Sequence, residues 1–497
     1  MLEALSQSFV TIFTFSHIVW LVTGVLAGLS IGVLPGLGGI VGMSILLPVI
    51  YGMEPDIAFA LLVGMVAVIP TSDTFPSVLM GIPGSAASQA TIMDGYPMAK
   101  RGEATRALSA AFTASLMGGL VGAVTLSLVI PIAKPLILAF GSPELFMLTV
   151  LGLSMVGILA GKRPIRGLLA ACLGLVIGAI GAAPAAAEYR FTFGTEYMMD
   201  GIPLVVVGLG LFAFPEIIDL LIKGKAISEK TTIGRGWVKG VKDALAHKLL
   251  VLRCSFIGVI IGFLPGLGGS VVDWIAYGHV VQITKDKPQF GKGDIRGVIA
   301  PESANNAKEG GGLIPTLLFG IPGSGSMAVF LGGMLILGIQ PGPSMVTEHL
   351  DLVYTSVWSL ALANIVGAAL CVILARPIAQ LTKVRYAYIA PFMILIITLA
   401  CYQATQTWGD LIALLVMGIL GWIMKQFGWP RPAALIGYVL AANLETYLFI
   451  SAQRFGWTWL WRPGVLVIGA IIVISLILGL RKTAAIDKAA QKSEAKQ

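Results

Sequence analysis

Long apolar stretches dominate this chain of 497 residues and are separated by short polar segments. Several stretches are shorter than the ~20 residues that a spanning helix needs, so they must recruit apolar flanking residues. The pattern predicts an all-α, polytopic integral membrane protein. The apolar stretches fall at 10–34, 36–50, 57–70, 107–131, 144–160, 167–183, 201–222, 249–264, 266–283, 297–301, 312–339, 352–376, 387–405, 410–424, 433–450 and 462–480.

Two motifs rich in glycine and proline each occur twice. LPGLGG occupies 34–39 and 264–269, which are 230 residues apart, and GIPGS occupies 81–85 and 320–324, which are 239 residues apart. Proline and glycine interrupt helices, and lipid tolerates such breaks only where they are buried in protein or line a wet cavity. Paired breaks at corresponding positions of two halves indicate a transporter with its binding site at the breaks.

Charge gives the orientation of the predicted helices. The chain is 57% hydrophobic and 12% charged, with a mean hydropathy of +0.90 and a net charge of +8. If each LPGLGG segment is a hairpin and each GIPGS region makes one net crossing, one side holds 28 of the 33 Lys and Arg residues. The positive-inside rule makes that side cytoplasmic. The positive charge is therefore assigned to cytoplasmic loops and not to nucleic-acid binding.

The same layout orients the two halves oppositely. The loop after the first GIPGS contains Lys100, Arg101 and Arg106 and falls inside, whereas 340–351 contains no Lys or Arg and falls outside. We predict two inverted-topology repeats with broken helices or re-entrant hairpins at the membrane midplane, a periplasmic N-terminus and a cytoplasmic C-terminus. The predicted segments are an N-terminal repeat at 1–222, a basic cytoplasmic connector at 223–248, a C-terminal repeat at 249–480 and a cytoplasmic tail at 481–497.

Several classes of chemistry have no support in the sequence. The four cysteines and four histidines are scattered, without a CxxC pair or a ligand cluster, which argues against haem and zinc sites. No nucleophile–base pair has a convincing spacing, and no Walker lysine follows either LPGLGG. We expect no enzymatic activity and no cofactor beyond a coupling ion. No Lys or Arg precedes Lys100, so the first apolar segment is expected to be retained and not cleaved as a signal.

The GIPGS regions are the candidate site for an anionic solute. A helix that begins after Pro-Gly presents free N–H groups and the positive end of its dipole, which suits a carboxylate. Lys308 either meets that carboxylate or is neutralised by Glu302 or Glu309. The predicted substrate-binding residues are Gly84, Ser85, Ser88, Asn305, Asn306, Lys308, Gly323, Ser324 and Ser326.

Oxygen-bearing side chains beside the breaks are candidates for the coupling ion. Na⁺ is a hard cation and takes oxygen ligands, which unwound carbonyls near the two asparagines would supplement. Asp73 is alternatively a proton carrier or a helix cap. The predicted ion-coupling residues are Ser72, Asp73, Thr74 and Ser303.

The breaks themselves require close backbone approach. LPGLGG is either part of the transport path or a tight turn alone. The polar segments DGYPMAKRG at 94–102 and GIQPGP at 338–343 are predicted to be connectors that act as helix ends or hinges. Helix breaks or close approach are predicted at Pro35, Gly36, Gly38, Pro83, Pro265, Gly266, Gly268 and Pro322.

With these motifs, the chain resembles the large membrane subunit of the tripartite tricarboxylate transporters, the TctA family. The resemblance rests on both motif pairs, on DGYPMAKRG, on PESANNAKEGG at 301–311 and on GIQPGP, and it spans about residues 15 to 480. It implies a secondary transporter of the bacterial inner membrane that is coupled to a Na⁺ or H⁺ gradient. It also implies a small TctB-like membrane subunit, a periplasmic TctC-like solute-binding protein and carboxylate substrates such as citrate.

Together these observations predict an ion-coupled importer of small di- or tricarboxylates that works by alternating access. An uncoupled organic-anion channel is the alternative, because a channel would share the same cavity. A membrane-embedded enzyme is a weaker alternative, since it lacks a catalytic constellation.

Overall fold

The structure is a computed structural model that describes residues 2–159, 164–186, 188–223, 236–285, 289–381 and 386–477. Residues 224–235 of the predicted connector and the whole predicted tail lie outside the described residues. The first half contains α1 (Leu2–Thr11), α2 (Phe15–Gly32), α3 (Gly38–Ile50), α4 (Pro55–Ser72), α5 (Thr74–Met80), α6 (Thr91–Lys100), α7 (Ala104–Leu138), α8 (Ser142–Leu159), α9 (Pro164–Gly178), α10 (Leu204–Gly208) and α11 (Phe214–Lys223).

The second half repeats this order of helices. It contains α12 (Trp237–Ala246), α13 (Lys248–Phe263), α14 (Gly268–Ile283), α15 (Arg296–Phe319), α16 (Gly325–Ile336), α17 (Pro343–Thr347), α18 (Leu350–Leu381), α19 (Tyr386–Thr405), α20 (Trp408–Gln426), α21 (Arg431–Phe455) and α22 (Pro463–Ile477). Short 3₁₀ turns lie at Ala86–Ser88, Glu196–Asp200 and Gly456–Trp461, and a π-helical turn at Leu209–Ala213 joins α10 to α11. Two-residue strands β1 (Gly181–Ala182) and β2 (Tyr189–Arg190) pair antiparallel.

The lengths and composition of the helices confirm the all-α polytopic membrane fold. Within the described residues, six helices are long and apolar enough to cross a membrane, and a seventh span arises if α12 and α13, bent by 74°, are counted as one. The span formed by α4 and α5 is 94% buried in protein, whereas the other five are 39–44% buried. Residues 297–318 of α15 are also buried throughout, apart from the partly exposed ends of the helix. The α4–α5 span and α15 are therefore the two most deeply buried long elements among the described residues.

Glycines four residues apart bring helices of each half into close contact. On α2, Gly28 and Gly32 face α4, and a Cβ added to Gly28 would lie 2.7 Å from the Met65 carbonyl oxygen. On α13, Gly258 and Gly262 meet the backbone of α15 in the same way. Small residues allow helix backbones to approach closely in a membrane. Both glycines of α13 follow those of α2 by 230 residues, so the packing is duplicated with the sequence.

Each half also packs against helices of the other half. α7 lies on α15, and a Cβ at Gly122 would be 2.8 Å from the Ala307 carbonyl oxygen. α18 lies on α4, with Gly367 against Val68. In the outer part, α9 packs on α21, and α20 packs on the π-helical turn before α11. A helix of each half thus packs on the central element of the other half. Such reciprocal contacts are expected of two units related by a two-fold axis. The two predicted repeats therefore interlock.

One local prediction is wrong. The backbone near Asn305 and Asn306 is not unwound, because 301–312 lies within the continuous helix α15. Its glycines serve close packing instead, since Gly310 meets Gly122 of α7 and Gly311 meets Val259 of α13. The segment 94–102 contains the predicted helix end, because α6 ends at Lys100, although most of the segment is helical.

Candidate functional site

Both LPGLGG copies form the same turn. Gly36 and Gly38 have φ angles of +86° and +54°, and Gly266 and Gly268 have φ angles of +83° and +38°. These left-handed conformations are strained for residues that carry a Cβ, which explains the glycines. The turns follow the ends of α2 and α13. The next helices begin within the motifs, α3 at Gly38 and α14 at Gly268.

Both GIPGS copies also share one geometry. Gly81 and Gly320 take left-handed φ angles of +66° and +67° and terminate α5 and α15. After each Pro-Gly, a serine starts the next helical turn: the Ser85 hydroxyl oxygen accepts from Ala87 N at 3.1 Å, and that of Ser324 accepts from Met327 N at 3.3 Å. The sequence repeat is therefore also a structural repeat of a helix end followed by a helix start.

All four motif copies line one central cavity of 580 Å³. The contacts between copies are reciprocal: Gly39 of the first half lies against Ser326 of the second, and Gly269 of the second half lies against Ala87 of the first. Gly39 corresponds to Gly269 and Ser326 to Ala87, so the two contacts are equivalent, as are the contacts between the helices. A larger cavity of 720 Å³ borders α3 and α21, but its described lining residues include none of the four motifs and no charged side chain.

The α4–α5 span and α15 present equivalent faces to this cavity. Val66, Ile69, Pro70 and Asp73 line it from the α4–α5 span, whereas Asn305, Lys308 and Glu309 line it from α15. The spacing of 239 residues superimposes the first three positions of the two sets. One wall of the cavity is therefore mainly apolar, and the equivalent wall carries an amide and an ion pair.

Two buried side chains in this cavity have unmatched polar atoms. Among the described residues, neither amide atom of Asn305 has a hydrogen-bond partner, although the side chain is only 1% exposed. Oδ1 of Asp73 is likewise unmatched, while its Oδ2 accepts from the Ser85 hydroxyl. Lys308 donates to Glu309. Buried polar atoms without partners are rare in native proteins, and a ligand is one explanation for them.

Several predicted site residues lie outside the cavity lining. Asn306 donates to the Thr71 hydroxyl at 2.7 Å and to Oδ1 of Asn364 at 2.9 Å, so its amide joins α15 to α4 and α18. Ser88 caps the Ser85 N–H at 3.2 Å. The remaining predicted residues that do not line the cavity are Ser72, Thr74, Gly84, Ser303, Gly323, Pro35, Pro265 and Pro322, whereas Gly36, Gly38, Pro83, Gly266, Gly268 and Ser326 do line it.

The structure also adds a charged cluster that the sequence did not indicate. Arg431 and Lys425 line the cavity and bind Glu216 at 3.1 and 2.8 Å, and Lys425 also binds Asp219 at 2.6 Å. In the sequence the two cations are isolated charges outside the motifs, which give no signal of a site. The packing of α20 on α11 and the ion pair between Arg431 of α21 and Glu216 of α11 bring them to the cavity.

The charged side chains that line the cavity balance one another. Its lining carries three basic residues, Lys308, Lys425 and Arg431, and three acidic ones, Asp73, Glu216 and Glu309. The N-terminal ends of α3, α14 and α16 also face the cavity, because their first residues, Gly38, Gly268 and Gly325, line it. Each helix start contributes a partial positive charge and free N–H groups.

A polytopic α-helical protein whose interlocked repeats enclose a polar central cavity has the architecture of a membrane transporter. Comparison with known proteins agrees. The model of the tripartite tricarboxylate transporter TctA family matches residues 18–436. The chain belongs to this family, which confirms the resemblance drawn from its motifs and makes it a permease of the tripartite tricarboxylate type.

Two relatives from Agrobacterium vitis are similar along different lengths. One, described as an uncharacterized 52.8 kDa protein in the TAR-I ttuC' 3'region, is 31% identical over 494 residues, covering 97% of each chain. The other, an uncharacterized protein in the TAR-II ttuC' 3'region, is 32% identical over 195 residues, covering 38% of this chain and 79% of the relative. No solved structure matches the chain.

Proposed function

We propose that this protein is the permease of a binding-protein-dependent secondary transporter that imports small di- or tricarboxylates, such as citrate, by alternating access. The observation that carries the proposal is the cavity between the repeats, where the unpartnered amide of Asn305 lies beside three helix N-termini. The proposal assigns the chain transport and no enzymatic step.

In this proposal the solute carboxylates are held by complementary donors. The N–H groups at the starts of α14 and α16 and the hydroxyls of Ser324 and Ser326 donate to one carboxylate. The amide of Asn305 donates to a carboxylate oxygen and accepts from a solute hydroxyl. Lys308 and Arg431 supply full charges for a second carboxylate, which favours polyanions over monocarboxylates. A volume of 580 Å³ lies within the ~300–1,000 Å³ that is usual for small-molecule sites.

Alternating access follows in this proposal from the two-fold exchange of contacts between the repeats. When two equivalent halves adopt different conformations, exchanging those conformations moves the opening from one membrane face to the other. A cation gradient drives the cycle. In this proposal the protein lies in the bacterial inner membrane with a small membrane subunit, and a periplasmic solute-binding protein delivers the carboxylate.

Counterflow tests the proposal. The permease and its small membrane subunit are reconstituted in vesicles loaded with unlabelled citrate or a dicarboxylate, and trace labelled solute is added with the solute-binding protein. A carrier accumulates the label transiently, whereas an uncoupled anion channel only equilibrates it. Vesicles without the solute-binding protein provide the control for delivery. Simple equilibration would establish the channel, and absence of any movement for all carboxylates would refute the substrate class.

A further inference from the structure

A buried carboxylate outside the cavity lining is held by three hydroxyl groups. Glu302 of α15 is 0% exposed. Its Oε2 accepts from Thr74 of α5 at 2.7 Å and from Ser115 of α7 at 3.1 Å, and its Oε1 accepts from Thr91 of α6 at 2.6 Å. Four helices from both halves therefore meet at one carboxylate.

This carboxylate has no positive partner in the described part of the chain. None of the ion pairs found there involves Glu302, and Lys308, six residues further along α15, is bound to Glu309 instead. An ionised carboxylate away from water is costly unless a cation compensates its charge. Ionisable groups at membrane depth that lack such compensation mark ion pathways.

The fold itself does not require polar residues at these positions. At the spacing of 239 residues fixed by GIPGS, Glu302 corresponds to Val63, Thr74 to Leu313, and Thr91 to Phe330. All three counterparts are apolar and 0% exposed. The same architecture therefore contains hydrocarbon at one of two equivalent junctions between the halves, and a carboxylate with hydroxyls at the other. Packing alone does not account for the polar set.

We propose that Glu302, Thr74, Thr91 and Ser115 form a sodium-binding site. The set contains only oxygen ligands, which suit a hard cation. The set supplies one carboxylate, whose single negative charge matches a monovalent cation. Hydroxyls suit a reversible site, because each can turn its lone pairs to a bound ion or donate its hydrogen to the carboxylate when the ion leaves.

The site connects directly to the proposed solute cavity, and its role as the coupling site rests on the proposed function. Thr74 follows Asp73, whose carboxylate lines the cavity and binds Ser85. Glu302 lies one turn before Asn305 on α15. Sodium binding thus orders the junction of α4 with α5 and one face of α15, which are the two central walls of the cavity.

Thermal unfolding of the purified full-length chain tests the site without any carboxylate present. The melting temperature is measured against increasing NaCl, with KCl or choline chloride keeping the ionic strength constant, because a ligand that binds the native state stabilises it. Wild type is expected to be stabilised by Na⁺ selectively, and Glu302→Gln to lose this shift. Glu445→Gln, which removes the distant carboxylate that pairs with Arg190, retains it.

A matched pair at Thr91 keeps the test decisive if Glu302→Gln does not fold. Thr91→Val removes the hydroxyl at nearly constant volume and is expected to raise the Na⁺ concentration for half-maximal stabilisation about tenfold, whereas Thr91→Ser keeps the hydroxyl and stays within about twofold. Equal effects of Na⁺ and K⁺, a normal sodium shift in Glu302→Gln, or stabilisation only by acidification would each overturn the proposal. Counterflow is measured separately, so failure of the carboxylate assignment is distinguishable from failure of the sodium site.

Discussion

Adjacent asparagines on α15 give opposite predictions, and Asn305 is the more informative of the two. Burying an amide without partners costs about 1–3 kcal/mol. Asn305→Val removes that cost and introduces the residue already found at the equivalent position, Val66. We therefore expect the free energy of unfolding to stay the same or to rise by about 1–3 kcal/mol.

The same substitution should weaken solute binding. A hydrogen bond to a charged group contributes about 1.5–3 kcal/mol, so its loss raises the dissociation constant roughly 10- to 150-fold. The assay combines chemical or thermal unfolding in detergent with the solute concentration for half-maximal counterflow. Both quantities are measured on the same preparation, which separates a folding defect from a binding defect.

Asn306→Val is the matched control for this prediction. Its amide nitrogen donates to two side chains, although its Oδ1 has no partner among the described residues, so the substitution leaves the Thr71 hydroxyl and the Asn364 carbonyl oxygen without their donor. We expect a loss of about 1–3 kcal/mol in stability and an unchanged half-maximal solute concentration for the folded fraction. The reasoning is refuted if Asn305→Val is less stable than wild type and binds solute normally, because Asn305 would then be an ordinary packing residue.

Three further predictions concern the first GIPGS turn, the membrane topology of the two halves and the charge of the cavity. Gly84→Val should lower stability by about 1–3 kcal/mol and abolish uptake, since its Cβ would lie 2.6 Å from the Asp73 carbonyl oxygen; wild-type melting and uptake would contradict this. Cysteines at Lys100 and Glu348, in a background without the exposed native cysteine, should react with impermeant maleimide from opposite faces; labelling from one face would reject the inverted arrangement. Lys308→Met combined with Glu309→Gln removes an ion pair without leaving a lone buried charge and should raise the half-maximal concentration at least about tenfold for a tricarboxylate; an equal effect on a monocarboxylate would argue against a charge role.

The parts of the site that follow from local backbone chemistry were predictable from the sequence. Left-handed glycines such as Gly36 and Gly266 are required wherever these turns occur, so two copies of one motif predict two copies of one turn. The convergence of both pairs on one cavity follows from the cost of broken helices in lipid. The repeat therefore predicted the position of the cavity, although it did not indicate which side chains face it.

The contacts between helices could not be obtained in the same way. Asn305 and Asn306 are neighbours in sequence, yet the helical turn of about 100° per residue directs one to the cavity and the other to α4 and α18. The backbone near the two asparagines was predicted to be unwound, but Gly310 and Gly311 allow α7 and α13 to approach an intact helix. Arg431 reaches the cavity through tertiary packing alone, which no local pattern encodes.

The exchange of packing partners between the halves has a consequence for biosynthesis. The residues that pair across the halves are far apart in sequence, as for Thr74 and Glu302, which are 228 residues apart. At a synthesis rate of ~5–20 residues per second, the first half waits roughly 10–50 s for α15. During that interval α4 and α7 lack the helices of the second half on which they finally pack. The packing of the central helices is therefore completed only after α15 and α18 have been inserted.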